Sequence, residues 1–198
     1  MKESEIKNIY IINGGIEFAS SGGKLNDLLS KTAEETLSKL GKNVSTLRIT
    51  GGYTIEKEAD KIIASDCIIW QMPVWWMAEP WTVKKFIDEV FIAINRKIGG
   101  SDGRHRSDPT ARYGTGGKLH IQYMISSTWN APQEAIYDEG GFFEAGGIDK
   151  IWYSFHKAMQ FIGMSALPSF MCNDVIKNPQ VEQYVAAYQN HLKAVFDK

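Results

Sequence analysis

An aromatic cluster directly follows one apolar segment of the chain, in the sequence Pro73-Val74-Trp75-Trp76-Met77. Aromatic faces stack on flat rings, and a good contact adds roughly 0.5–1.5 kcal/mol beyond the area that it buries. The cluster therefore predicts one wall of a pocket for a planar tricyclic ring, with backbone N–H groups available to the polar edge of that ring. The alternative interpretation is that the two tryptophans pack on a neighbouring helix or on a second subunit.

Hydroxyl groups and glycines precede the first helical pattern, between Ser20 and Asp27. A helix N-terminus has unpaired N–H groups and a partial positive charge, and both favour a phosphate. The segment therefore predicts a phosphate site, and the alternative is an ordinary serine N-cap.

Two named nucleotide-binding motifs are absent from the sequence. The lysines after Gly23 and Gly117 lack both the preceding glycine and the following hydroxyl residue of a Walker sequence. Gly14-Gly15 is not followed by the spacing of GxGxxG. A P-loop NTPase and a conventional dinucleotide-binding dehydrogenase are therefore disfavoured.

A third polar turn follows another apolar run, in the sequence Ser127-Thr128-Trp129-Asn130-Ala131-Pro132. In an open parallel sheet, ligands bind outside the carboxyl ends of the strands. We therefore expect this turn, the aromatic cluster and the glycine-containing segment to outline one pocket.

Five apolar runs alternate with longer helical patterns, which is typical of a parallel sheet. The predicted strands cover residues 8–13, 43–50, 66–72, 121–128 and 166–171. The predicted helices cover residues 25–40, 55–64, 81–91, 151–161 and 181–196, and residues 99–117 and 129–149 are predicted to be long loops. The expected architecture is one three-layer α/β domain over residues 1–198, with a five-stranded parallel sheet flanked by helices.

The composition excludes several classes of partner. The 22 Lys and Arg residues are interspersed with 23 Asp and Glu residues, so the chain lacks the basic footprint of a nucleic-acid-binding protein. No apolar run approaches the roughly 20 residues that span a bilayer, and the polar N-terminus is unlike a signal peptide. We expect a cytoplasmic protein without a metal, in which Cys67 and Cys172 are reduced core residues.

Several longer stretches carry a resemblance to a known family. They are Ile11 to Gly14, Ile69 to Pro73, Trp75 to Met77, Pro80 to Lys85, Ser101 to Arg104, Thr128 to Pro132 and Asn173 to Lys177. Over nearly its whole length the chain resembles the modulator-of-drug-activity-B family of NAD(P)H-dependent quinone reductases. That family belongs to the flavodoxin-like NAD(P)H dehydrogenases, which include the mammalian quinone reductase.

The resemblance implies a flavodoxin-like fold, a tightly bound FAD, a homodimer and two-electron reduction of quinones in a ping-pong exchange. NADPH is the favoured donor over NADH, and a role in oxidative stress is expected. Residues 21–28 look like the pyrophosphate-binding segment, 74–77 the isoalloxazine wall, 128–131 a further flavin-binding turn, and Tyr113 a contact from the long loop. The predicted cofactor-binding residues are Ser21, Gly22, Gly23, Lys24, Leu25, Asn26, Asp27, Leu28, Pro73, Val74, Trp75, Trp76, Met77, Tyr113, Thr128, Trp129, Asn130 and Ala131.

Such chemistry needs no side chain as acid or base, because a flavin performs the hydride transfer. Asn130 is a candidate donor to the flavin edge where charge develops. His156 and His120 are candidate proton shuttles to the quinol, although a lone histidine is more often structural. The basic run Arg104-His105-Arg106 is a candidate contact for a nucleotide phosphate or a solvated loop.

Three alternatives use the same fold. One is FMN- or FAD-dependent reduction of azo or nitro compounds. Another is a non-enzymatic flavodoxin-type electron carrier, which is disfavoured because carriers that dock by charge show a strong field of one sign. The third is a structural or regulatory protein without flavin.

Overall fold

A parallel β-sheet lies at the centre of this computed structural model, which describes residues 6–18 and 22–197. Its strands are β1 (Asn8–Asn13), β2 (Asn43–Arg48), β3 (Cys67–Pro73), β4 (Gln122–Thr128), β5 (Ser165–Ala166) and β6 (Phe170–Cys172). The hydrogen-bonded order is β2-β1-β3-β4-β5, β6 also pairs with β4, and every pair is parallel. The predicted parallel sheet is therefore confirmed.

Helices cover both faces of the sheet. They are α1 (Lys24–Lys39), α2 (Ile55–Ile63), α3 (Trp81–Ile98), α4 (Gln133–Tyr137), α5 (Gly147–Ile151), α6 (Tyr153–Ile162) and α7 (Val181–Phe196). Helices α1 and α7 share one core with the sheet, and α2, α3 and α6 share the other. This is the expected three-layer arrangement.

Side chains of each strand alternate between the two cores, because successive residues of a strand point to opposite faces. In β1, Ile9 and Ile11 pack with α1 and α7, whereas Tyr10 and Ile12 pack with the helices of the other face. The same alternation puts the odd-numbered residues of β3, including Gln71, on the α1 side. The last residues of the strands are polar there, and they lie beside the start of α1.

The fifth predicted strand is interrupted. It consists of β5 and β6, which both pair with β4, and Pro168 lies between them. Because proline has no N–H to donate, it cannot continue a hydrogen-bonded ladder. The prediction of one continuous strand over 166–171 is therefore wrong in detail.

Some predicted boundaries of helices and loops are also wrong. Helix α3 does not end at Phe91 but continues to Ile98, because Ala93 and Ile94 extend its buried face until Gly99 ends it at φ 66°. The predicted loop over 129–149 contains α4 and the start of α5. Residues 49 and 50, predicted as the end of a strand, form a 3₁₀ turn together with Gly51. Short helices of this kind lack the repeated pattern from which longer helices are read.

No helix in the described ranges has the length and hydropathy required to cross a bilayer. Cys67 and Cys172 are both free and buried. Burial raises the pKa of both thiols, that of Cys172 to about 12.

Candidate active site

A cavity of about 780 Å³ opens at the carboxyl ends of β3 and β4, beside the N-terminus of α1. This is the position at which an open parallel sheet binds ligands, and the volume is within the range of small-molecule sites. Its lining residues come from three predicted segments and two further ones. They are Phe18, Gly22, Gly23, Lys24, Leu25, Asn26, Pro73, Val74, Trp75, Trp76, Thr128, Asn130, Val175 and Ile176.

The start of α1 forms one end of the cavity. The N-cap residue is Gly23, in the left-handed region at φ 67°, and no side chain of the described residues caps the helix, so the N-cap position itself is a glycine and not a serine. A Cβ at Gly23 would lie 3.3 Å from the backbone of Ile16, so a larger residue would be both strained and crowded. Lys24 has no ion pair within residues 6–18 and 22–197. An unpaired cation at a helix N-terminus is suited to an anion.

The aromatic wall is built on a tight turn. Trp75 and Ala78 exchange two backbone hydrogen bonds, and the two residues between them, Trp76 and Met77, have φ values of 50° and 64°. Such values are typical of type I′ turns, where glycine and asparagine are usual and bulky side chains are strained. The turn therefore holds two large side chains in a conformation that they seldom adopt.

The two tryptophans of this turn have different environments. Trp75 packs against Phe18, with ring centroids 5.2 Å apart, and against Trp81 of α3, at 5.4 Å. Trp76 lines the cavity yet leaves 95% of its surface exposed. Packing on a neighbouring helix thus accounts for Trp75 and not for Trp76.

The opposite edge of the cavity is the turn after β4. Thr128 and Asn130 line the cavity, whereas Trp129 points into the core and donates from Nε1 to Ser127 Oγ at 2.9 Å. The backbone N–H of Val175 donates to the Trp129 carbonyl at 3.0 Å, which ties the segment after β6 to this turn. Val175 and Ile176 reach the cavity through this connection.

Some predicted cofactor-binding residues do not line the cavity. Ser21 lies outside the described residues. Asp27 accepts hydrogen bonds from Arg48 Nε at 2.9 Å and from Asn13 Nδ2 at 2.8 Å, so its carboxylate is occupied by protein groups. The remaining members of this group are Leu28, Met77, Tyr113, Trp129 and Ala131.

The long loop and the histidines also lie apart from this lining. Tyr113 packs on Phe161 of α6, at 5.4 Å between ring centroids, and lies 5.6 Å from the guanidinium of Arg104. Arg104 pairs with Asp102 and lowers the pKa of that carboxyl. His156 contacts Tyr123, with 2.5 Å between Nδ1 and the hydroxyl oxygen, and does not line the cavity. His120, Arg104, His105 and Arg106 are not among its lining residues either.

Among the described residues that line the cavity, three were not anticipated from the sequence as binding residues. Phe18 lies in the first loop, and its aromatic ring was the only available signal. Val175 and Ile176 belong to a stretch that carries the family resemblance, but nothing in that stretch indicates a role in binding. Their position depends on the pairing of the segment after β6 with the turn after β4.

Comparison with known proteins identifies the relationship. A family model for the flavodoxin-like fold matches residues 7–193. NADPH:quinone oxidoreductase MdaB of Haemophilus influenzae is 53% identical over 190 residues, which are 96% of this chain and 99% of the relative.

Two solved structures share the architecture. A structure from Klebsiella pneumoniae has a TM-score of 0.74 at 20% identity, over 96% of this chain and 85% of that chain. General stress protein 14 of Treponema denticola, in complex with FMN, has a TM-score of 0.59 at 17% identity, over 95% and 98% of the two chains. At such identities these likenesses concern the fold alone, whereas the family match and the 53% identity show descent. The chain therefore belongs to the flavodoxin-like fold family and, within it, to the family of the quinone oxidoreductase MdaB.

Proposed function

We propose that the protein is an NAD(P)H:quinone oxidoreductase that holds FAD in the cavity after β3 and β4. The observation that carries the proposal is the presence of an aromatic turn and the start of α1 in one cavity of about 780 Å³. The aromatic turn is suited to a flat ring, and the N–H groups at the start of α1 are suited to a pyrophosphate. The identity of 53% to an NADPH:quinone oxidoreductase supports the choice of activity.

The residues present fit a flavin nucleotide. The N–H groups at the start of α1 and the cation of Lys24 are suited to the phosphates, and no carboxylate lines the cavity within the described chain. Trp75, Trp76 and Val74 provide an apolar wall for the ring system. The backbone N–H groups of Trp76 and Met77 have no acceptor in the described residues and remain available to polar atoms of the ring.

A bound flavin would supply the redox chemistry, taking a hydride from NAD(P)H and passing two electrons to a quinone in alternate occupancy of one site. The protein then has to bind and orient the flavin and the two substrates, and to exclude water from the site. Trp76 and Ile176 are exposed by 95% and 68% at the mouth of the cavity and are suited to press a flat donor or acceptor against the ring. Asn130 can donate from its amide to the edge of the ring where negative charge develops.

We propose no side-chain acid or base for the reaction. Asn130 lines the cavity and His156 does not. Of these two candidates we therefore propose Asn130 as the residue that contacts the ligand. We propose NADPH as the preferred donor, a homodimer in which the exposed apolar mouth is covered, a single cytoplasmic domain and a role in oxidative stress.

The visible spectrum of the purified protein tests the cofactor. We expect a yellow protein that releases FAD on denaturation, and release of FMN alone would contradict the choice of FAD. A protein that stays colourless after addition of FAD and of FMN would overturn the proposal altogether.

Anaerobic stopped-flow measurements test the reaction. NADPH should bleach the flavin band faster than NADH, and a naphthoquinone should restore it. Initial rates at several quinone concentrations should give the parallel double-reciprocal lines of a ping-pong exchange. Restoration by an azo or nitro compound and not by any quinone would favour the alternative activity, and absence of bleaching by both nucleotides would favour an electron carrier.

A matched pair of variants connects the activity to the cavity. Asn130→Asp places a negative charge beside the site where charge develops, and bleaching by NADPH should slow more than about tenfold, or roughly 1.4 kcal/mol. Asn190→Asp makes the same change on the exposed surface of α7 and should leave the rate unaltered. Equal rates for the two variants would contradict the assignment of the cavity.

A further inference from the structure

Polar side chains replace the apolar ones at the carboxyl ends of the three central strands. Asn13, Gln71 and Ser126 are in register across β1, β3 and β4, and all three are buried. Gln71 is fully buried, and a side-chain amide in that position costs free energy unless its oxygen and nitrogen are both hydrogen-bonded. The hydrogen-bond partners of the Gln71 amide therefore have to come from other groups of the protein.

A chain of side-chain hydrogen bonds runs from this row to the cavity. Ser126 Oγ donates to Gln71 Oε1 at 2.7 Å, and Gln71 Nε2 donates to Asn26 Oδ1 at 2.9 Å. Asn26 Nδ2 then donates to Thr128 Oγ1 at 3.2 Å. Asn26 and Thr128 line the cavity, whereas Gln71 and Ser126 do not. In all three bonds the donor lies nearer to Ser126 and the acceptor nearer to Thr128 along this series, which ends at the cavity.

The direction of these hydrogen bonds determines whether the Thr128 hydroxyl donates or accepts a hydrogen bond in the cavity. An amide oxygen only accepts and an amide nitrogen only donates, so Gln71 forces the oxygen of Asn26 to face it. The nitrogen of Asn26 then faces Thr128, whose oxygen accepts. The hydroxyl proton of Thr128 has no acceptor among the described residues and is free to be donated into the cavity.

We propose that Gln71 is a positioning residue, which through Asn26 fixes the hydroxyl of Thr128 as a donor in the cavity. The ligand therefore presents an acceptor oxygen or nitrogen to Thr128. Where that ligand is named as FAD, the inference rests on the proposed function, while the orientation of Asn26 by Gln71 is independent of it.

A double-mutant cycle on FAD binding tests the ligand part of the proposal. Thr128→Val removes the donor, so FAD should bind about tenfold more weakly, while Thr128→Ser keeps the hydroxyl and should bind within about twofold of the parent protein. Asn26→Asp replaces the donor to Thr128 by an acceptor and turns the hydroxyl away from the cavity. In the Asn26→Asp background, Thr128→Val should therefore change affinity by less than about twofold.

Uncharged variants test the same point if the buried aspartate of Asn26→Asp prevents folding. Gln71→Met removes both bonds of Gln71 without adding charge, and the effect of Thr128→Val should shrink in that background too. Ser30→Ala is the control, because Ser30 lies on α1 with a buried hydroxyl that has no hydrogen-bond partner. In the Ser30→Ala background, Thr128→Val should keep its full effect.

Side-chain amide NMR signals test the orientation without any flavin. The NH₂ groups of Asn26 and Gln71 should exchange slowly with solvent in the parent protein and in Ser30→Ala. In Gln71→Met, the Asn26 signal should lose this protection.

The outcomes separate the inference from the proposed function. If the parent protein binds no FAD, the proposed function and the ligand part fail, and the NMR result still decides the role of Gln71. If FAD binds but Thr128→Val has no effect, or has an equal effect in all backgrounds, the inference fails while the proposed function stands. An Asn26 signal that is unchanged in Gln71→Met overturns the positioning role.

Discussion

Trp75 and Ala78 donate to each other across a two-residue turn, at 2.9 Å from the N of Trp75 and 3.2 Å from the N of Ala78. The turn places Trp76 and Met77 in the left-handed region, where an L-residue costs roughly 1–2 kcal/mol. No packing compensates for Trp76, which is exposed on 95% of its surface. Strain of this kind, without a packing benefit, is typical of residues that contact a ligand.

Replacement of Trp76 should therefore separate stability from binding. In Trp76→Gly the strain is relieved, and the free energy of unfolding measured in urea should rise by about 0.5–1 kcal/mol. FAD affinity should fall at least about tenfold, since an aromatic wall is lost. Glu144→Gly is the control, because Glu144 also lies in the left-handed region, at φ 53°, and is not among the residues that line the cavity. It should gain stability and keep its affinity, and a loss of stability in both variants would contradict the account of strain.

Lys24 should contribute to binding through its charge. Lys24→Gln removes the unpaired cation at the start of α1, and FAD should bind about fivefold to tenfold more weakly at low salt. The difference from the parent protein should diminish as ionic strength rises. Lys31→Gln is the control on the same helix, since Lys31 is exposed and 3.8 Å from Glu35. An effect of equal size in both variants would indicate a general influence of net charge.

His156 should matter for stability and not for turnover. Its Nδ1 lies 2.5 Å from the hydroxyl of Tyr123, and its Nε2 lies 3.3 Å from Asp149. In His156→Leu the part-buried hydroxyl loses its partner, so the free energy of unfolding should fall by about 1–3 kcal/mol. His156→Gln keeps a polar partner and should recover part of this loss. The rate of quinone reduction by either folded variant should stay within about twofold of the parent rate, and a loss greater than about tenfold would restore His156 as a proton shuttle.

Alkaline pH should destabilise the fold. Burial raises the pKa of Cys67, Cys172, Tyr123 and Tyr188 above the values in an unfolded chain, that of Cys172 to about 12. Because an unfolded thiol loses its proton near pH 8.5 and a tyrosine near pH 10, the unfolded state binds fewer protons than the folded state above these values. The free energy of unfolding should be steady between about pH 7 and pH 8 and fall progressively towards pH 12.

A cysteine variant tests how much of the loss of stability at alkaline pH comes from the thiol of Cys172. Cys172→Ala should show a shallower fall between about pH 8.5 and 10, where tyrosines contribute least. In the folded parent protein neither thiol should react with a thiol reagent at neutral pH, and both should react in urea. Stability that is independent of pH across this range would contradict the burial of these groups.

The type of fold and the three segments that form most of the described cavity lining follow from local patterns of the sequence. A strand buried on both faces is a continuous apolar run, and β1 has the predicted bounds for that reason. Helix α7 has the predicted bounds because its apolar residues recur at helical spacing. Glycines at the start of α1 and tryptophans after β3 are local signals, because a loop at a strand end and a helix start are defined by neighbours in the chain. These segments are therefore predictable at one edge of the sheet from the sequence.

Which residues of those segments face the cavity depends instead on contacts between distant parts of the chain. Asp27 faces Arg48 and Trp129 faces the core, although both follow the same sequence signals as their neighbours Asn26 and Thr128. Ile176 joins the cavity through backbone pairing with a segment more than forty residues away. Gln71 lies in a strand whose other residues are mainly apolar. The role of its side-chain amide follows only from its hydrogen bonds to Ser126 and Asn26. The physical reason is that side-chain direction and hydrogen-bond partners depend on contacts between distant segments, which local sequence patterns do not encode.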